Sequence, residues 1–82
     1  MPNQKHIENK VLSLLSSILE INAEEINIHT TMNQISAWDS LKHLNIIIEL
    51  EQHFKIEIED AEATSLIDVK SIVILIQNKT EL

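Results

Sequence analysis

Residues 39–43, Asp-Ser-Leu-Lys-His, place a carboxylate, a hydroxyl and an imidazole within five positions. On a helix Ser40 and His43, three apart, fall on one face, so the trio imitates the relay of a serine hydrolase. That chemistry lacks two of its parts. Asp39 and Ser40 are adjacent and point in different directions, and the chain has no glycine from which to shape an oxyanion-holding turn. Without a relay, Ser40 reads as a second N-capping residue beside Asp39, a common use of serine. His6, His29, His43 and His53 show no ligand spacing, so no metal site is expected.

The elements that must position these groups follow from the apolar spacing. Ile7, Val11, Leu14, Leu15 and Ile18 recur at helical intervals and predict a first helix from about Asn3 to Leu19. A long connection, Glu20 to Trp38, is rich in Asn, Thr and Ser. It is dotted with Ile21, Ile26, Ile28, Met32 and Ile35, so it should lie against the core, with a one-turn helix capped by Asn22 and Glu25. Asp39 is the expected N-cap of a second helix. Its apolar arc (Leu41, Leu44, Ile46, Ile47, Ile48, Leu50, Phe54) is about twice the ~100° of an ordinary surface helix, which predicts a central helix touching more than one neighbour. Lys55 to Glu59 alternates like a strand, but five residues without a partner read as an extended connector with Ile56 and Ile58 turned inward. Asp60 is expected to cap a short turn through Leu66, and Asp68 a last helix burying Val69, Ile72, Val73 and Ile76. The β-branched run Ile72-Val73-Ile74 pulls against that helix, and Gln77 to Leu82 should fray.

Composition narrows the function classes. Eighty-two residues make one domain, and its apolar fraction of 44 % includes only Trp38 and Phe54 as aromatics, so the core is aliphatic. Disulfides and thiolate metal sites are excluded by the absence of cysteine. Thirteen acids against six lysines leave a net charge of −7, which disfavours nucleic acid and suits either solubility alone or steering toward a basic protein partner. Residues 1–20 carry no signal-peptide pattern, and the longest apolar run, Ile72 to Ile76, is far short of the roughly 20 residues of a membrane span. A cytoplasmic protein without a membrane partner is the expectation.

Trp38-Asp39-Ser40-Leu41, the segment Ile46 to Phe54 with its Leu50-Glu51…Phe54 ending, and Ile56-Glu57-Ile58 together resemble the acyl carrier protein family over Ile7 to Ile76. There an Asp-Ser-Leu triplet opens the second helix. The triplet alone is weak; its place at a helix start, the acidic helix end and the chain length make it specific. The resemblance implies an all-α, four-helix bundle (three main helices, one short, a long first loop) spanning 1–82 as one free-standing, monomeric phosphopantetheine-binding domain.

It further implies that Ser40 receives 4′-phosphopantetheine covalently from coenzyme A, with Asp39 and Leu41 beside it, and that the chain carries cargo as a thioester without catalysing a reaction. A first-turn serine suits a phosphodiester, because free amides and the helix dipole favour negative charge there. No cysteine competes for the acyl group. Asp39 matches an acid that helps the modifying transferase position its metal. Ile46, Ile47, Leu50, Phe54, Ile58, Ala63 and Leu66 match positions lining the family's acyl pocket, although plain core packing explains each singly. The implied partners are a phosphopantetheinyl transferase and acyl-activating, condensing or acyl-transferring enzymes, with Trp38, Lys42, Glu49, Glu51 and Glu57 as contact candidates. Two departures stand out: Ala37-Trp38 where the family has glycine and a small residue, and Lys42 and Asn45 where fatty-acid carriers have acids. They point to a dedicated pathway rather than fatty-acid synthase enzymes. Trp38 is expected to be mainly structural with one edge exposed. The rival reading is an unmodified helical interaction module with Ser40 only a cap.

Overall fold

The structure is a computed structural model that describes residues 4–80, Gln4 by its backbone alone. Among them are four α-helices: α1 Gln4–Leu19, α2 Ser40–Phe54, α3 Asp60–Thr64 and α4 Val69–Thr80. The expected all-α bundle with a long first connection is present; Asn3, Glu81 and Leu82 lie outside the described residues. Ile7, Val11, Leu15 and Leu19 form one buried stripe along α1, four residues apart, and α1 packs along both α2 and α4. The central helix is therefore α1, which corrects the expectation for α2. Only the flank of α2 bearing Ile46, Ile47 and Leu50 is buried, while Leu41, Leu44 and Ile48 on the other flank face solvent. A wide apolar arc marks what a helix could bury, not which part its neighbours cover.

Short-range hydrogen bonds set most helix ends. Asp39 Oδ1 accepts from the Lys42 amide at 2.9 Å, and Asp68 Oδ1 from the Ser71 amide at 2.7 Å. In the long connection the Glu25 carboxylate accepts from the Asn22 amide at 3.1 Å, closing the expected one-turn helix at Ala23–Glu25. α3 begins one residue away from expectation: Glu59, not Asp60, is its N-cap, because Glu62 reaches back three residues to the Glu59 amide at 3.0 Å. With no glycine to end them, α1 and α2 place Glu20 and Lys55 in the left-handed region, both at φ 57°. That conformation costs a non-glycine residue about 1–2 kcal/mol, offset here by C-terminal bonds from the Ile21 amide to the Ser16 carbonyl and from Ile56 to Glu51.

The first connection is tied down at both ends of its middle. The Met32 amide donates to the Ile67 carbonyl at 2.7 Å, and the Val69 amide to the Thr30 carbonyl at 3.0 Å. Ile26 and Trp38 are buried beneath it and Ile28, Met32 and Ile35 partly so, as expected of a segment lying on the core. In α4 tertiary burial overrides the β-branched run: Ile72 and Val73 are buried inside a regular helix. The expected fraying at Gln77 does not occur as far as Thr80, whose hydroxyl donates to the Ile76 carbonyl at 2.8 Å.

Two measurable consequences arise here. Glu62 accepts from the Glu59 amide and lies 3.1 Å from Lys79 Nζ. The amide first, then Lys79, hold its carboxyl below the usual carboxylate range. The folded state thus favours the ionised form, so this stabilisation is present above the ordinary glutamate range and lost as pH falls through the lowered value. Glu62→Gln should lower the urea midpoint at neutral pH and match wild type in acid; an equal deficit at both would show that the charge is immaterial.

Phe54 is only half-buried, against His53 and at the edge of a pocket of ≈ 170 Å³ lined also by His6, Ile7, Lys10 and Thr80. Its truncation to alanine should therefore cost about 2 kcal/mol rather than the 3–5 of a fully buried phenylalanine. Urea unfolding checks this, and a loss at the top of that range would place the ring in the core.

Candidate functional site

Ser40 is the first residue of α2, and its side chain is exposed. Asp39, in extended conformation just before it, takes the capping role that Ser40 could have filled. The Ser40 hydroxyl makes no hydrogen bond to the described residues. A helix leaves its first amides without partners inside the helix, and Asp39 meets that of Lys42, so those of Ser40 and Leu41 remain for a ligand. A free hydroxyl and two free amides at the positive end of a helix dipole fit a phosphodiester.

The neighbouring side chains are committed elsewhere. His43 Nδ1 accepts from the Trp38 indole N–H at 3.0 Å, and Nε2 lies 2.9 Å from the Ala63 carbonyl. A carbonyl only accepts, so Nε2 carries the hydrogen and donates, and Nδ1 keeps its lone pair for the indole. No lone pair is left for the Ser40 proton, which removes the relay imitated by the sequence. His43 is a structural residue that reading missed; the signal was an indole needing an acceptor with an imidazole five residues on.

Trp38 is 2 % exposed. No edge is open, so it is not a surface for partners, because the indole is enclosed by the core and satisfied by His43. Glu51 is half-buried, and its carboxylate accepts from the Ile58 amide at 2.9 Å, fixing the connector after α2. Lys42 bridges to the end of α1, donating to the Ile18 carbonyl at 3.2 Å and lying 3.6 Å from Glu20. Glu49 and Glu57 remain exposed. Leu41, next to Ser40, is 68 % exposed, and Leu44 and Ile48 continue its strip at 56 % and 42 %. Of the pocket candidates, Ile46, Ile47, Leu50, Ile58 and Leu66 are closed into the core, whereas Phe54 and Ala63 are half-buried.

Residues 9–76 match the phosphopantetheine attachment site family. The chain is 35 % identical over 77 residues to the acyl carrier protein of Buchnera aphidicola subsp. Schizaphis graminum, covering 93 % of this chain and 96 % of the relative. The chain belongs to the acyl carrier protein family. The acyl carrier protein of Thermosynechococcus vestitus is 31 % identical over 94 % of this chain and 95 % of its own. The solution NMR structure of the holo acyl carrier protein from Geobacter metallireducens superposes with a TM-score of 0.78 at 29 % identity, over 96 % of this chain and 86 % of that one. This acyl carrier is thus a phosphopantetheine-binding helical bundle, and a carrier role is favoured over the unmodified interaction module. No described helix is long and apolar enough to cross a membrane.

Proposed function

We propose that Ser40 is the residue that carries the 4′-phosphopantetheine and that the chain is a non-catalytic, monomeric, cytoplasmic carrier of a dedicated pathway. One observation carries the assignment of the residue: Ser40 stands exposed at the start of α2, its hydroxyl unbonded among the described residues, while Asp39 does the capping. In attachment the Ser40 oxygen would bond to the pantetheine phosphate of coenzyme A. The pyrophosphate bond to adenosine 3′,5′-bisphosphate breaks, and the hydroxyl proton is lost to the transferase. The arm supplies a thiol that holds cargo as a thioester. The amides of Ser40 and Leu41 favour the phosphodiester charge, and exposed Asp39 faces the transferase and its metal.

Partner enzymes would meet the exposed strip of Leu41, Leu44 and Ile48, with Glu49 on the same helix and Glu57 on the connector beyond it supplying charge. Apolar anchors with a polar rim are what protein interfaces use. The predominance of apolar groups next to Ser40, with Lys42 folded back onto α1, supports acyl-activating, condensing or acyl-transferring partners other than those that read an acidic second helix. Incubation with a phosphopantetheinyl transferase and coenzyme A, followed by intact mass, tests the proposal. The expected result is one phosphopantetheine per chain; a chain that gains no mass with any transferase tried overturns it.

A further inference from the structure

The pocket candidates lie on α2 (Ile46, Ile47, Leu50, Phe54) and on or next to α3 (Ile58, Ala63, Leu66), and a hydrogen bond near the Ser40 end of α2 joins the two helices. His43 lies three residues into α2, on the Ser40 side of Ile46, Ile47 and Leu50. From there its Nε2–H donates to the Ala63 carbonyl of α3 at 2.9 Å, joining the two helices directly. Behind it the Trp38 indole, buried and donating to Nδ1, stacks with the imidazole at a centroid distance of 6.1 Å and an interplanar angle of 29°. The two rings and the carbonyl thus form one continuous plug. Beneath it Ile46, Leu50 and Leu66 are packed shut. Half-buried Phe54 is no alternative gate, since it lies about 20 Å along α2 from Ser40 at 1.5 Å per residue.

An alkyl chain entering beside Ser40 would have to part His43 from Ala63, leaving a part-buried donor and acceptor without partners, and displace the indole from the core. A cargo that stays outside asks neither. We propose that the Trp38–His43–Ala63 link keeps the α2–α3 seam shut, so that this carrier holds its cargo outside the bundle and serves short or polar acyl groups rather than long alkyl ones. Leu41 and Leu44 offer such a cargo only an open surface. The inference rests on attachment at Ser40.

The test loads the full chain by transferase from acetyl- and octanoyl-coenzyme A, and intact mass reads loading before anything else. A chain that takes up neither overturns the attachment reading and this one with it. On loaded chains the rate of thioester cleavage by hydroxylamine is measured, each divided by that of its free acyl-coenzyme A. The two normalised rates should agree within about threefold, since a thioester that spends its time outside the bundle needs no opening event to react. An octanoyl thioester protected beyond that overturns the proposal. His43→Ala, which removes both bonds of the link, should bring on selective protection of the octanoyl form. A folded variant as unprotected as wild type would overturn the role given to His43, and the wild-type comparison stands even if that variant does not fold.

Discussion

Ser40→Ala is expected to take up no phosphopantetheine under conditions that convert the wild type completely, while its far-ultraviolet circular dichroism stays unchanged. The loss should be total because the phosphodiester needs an oxygen on that side chain. The fold should survive because nothing structural among the described residues depends on the hydroxyl: it is exposed, makes no hydrogen bond to them, and leaves capping to Asp39 Oδ1 on the Lys42 amide. Alanine is also the best helix former, so stability should change by less than about 0.5 kcal/mol. Intact mass and thermal melting check both halves. Phosphopantetheine persisting on Ser40→Ala would move the attachment elsewhere. A melting point that collapsed would show that the serine holds the helix start after all, which the hydrogen-bond pattern denies.

Trp38→Ala should destabilise the protein by about 3–5 kcal/mol, the cost of emptying a buried large aromatic site. The indole is enclosed, touches the core cluster, and satisfies the Nδ1 of His43. Domains have roughly 5–15 kcal/mol in total, and one of this size sits toward the lower end, so Trp38→Ala should be partly unfolded at ambient temperature. Trp38→Phe separates the two contributions. It keeps most of the apolar volume but removes the N–H, leaving a part-buried imidazole nitrogen without a donor at a cost of about 1–3 kcal/mol. Urea unfolding of the three proteins measures both steps, and the wild-type tryptophan emission should be blue-shifted. A Trp38→Ala protein with an unchanged midpoint and a red wild-type emission would mean that the indole is on the surface.

Much of this protein is legible in its sequence because the deciding interactions span few residues. Apolar spacing delimits α1 and α4, the carboxylates of Asp39 and Asp68 cap helices three residues away, and Asn22 with Glu25 closes one turn of the long connection. The Asp39-Ser40-Leu41 triplet at a helix start is likewise local, which is why the candidate attachment residue needs no coordinates to be found. Residues paired across elements are another matter. That His43 answers both the Trp38 indole and the Ala63 carbonyl, that Glu51 accepts from the Ile58 amide, and that the Thr30 carbonyl receives the Val69 amide are decided only when α2, α3 and the first connection are brought together. The same holds for α2, whose apolar arc does not say which flank α1 will cover and which will stay open from Leu41 to Ile48. Hydrophobicity is non-directional, so a sequence specifies the faces that seek burial, while chain packing selects the partner each face receives.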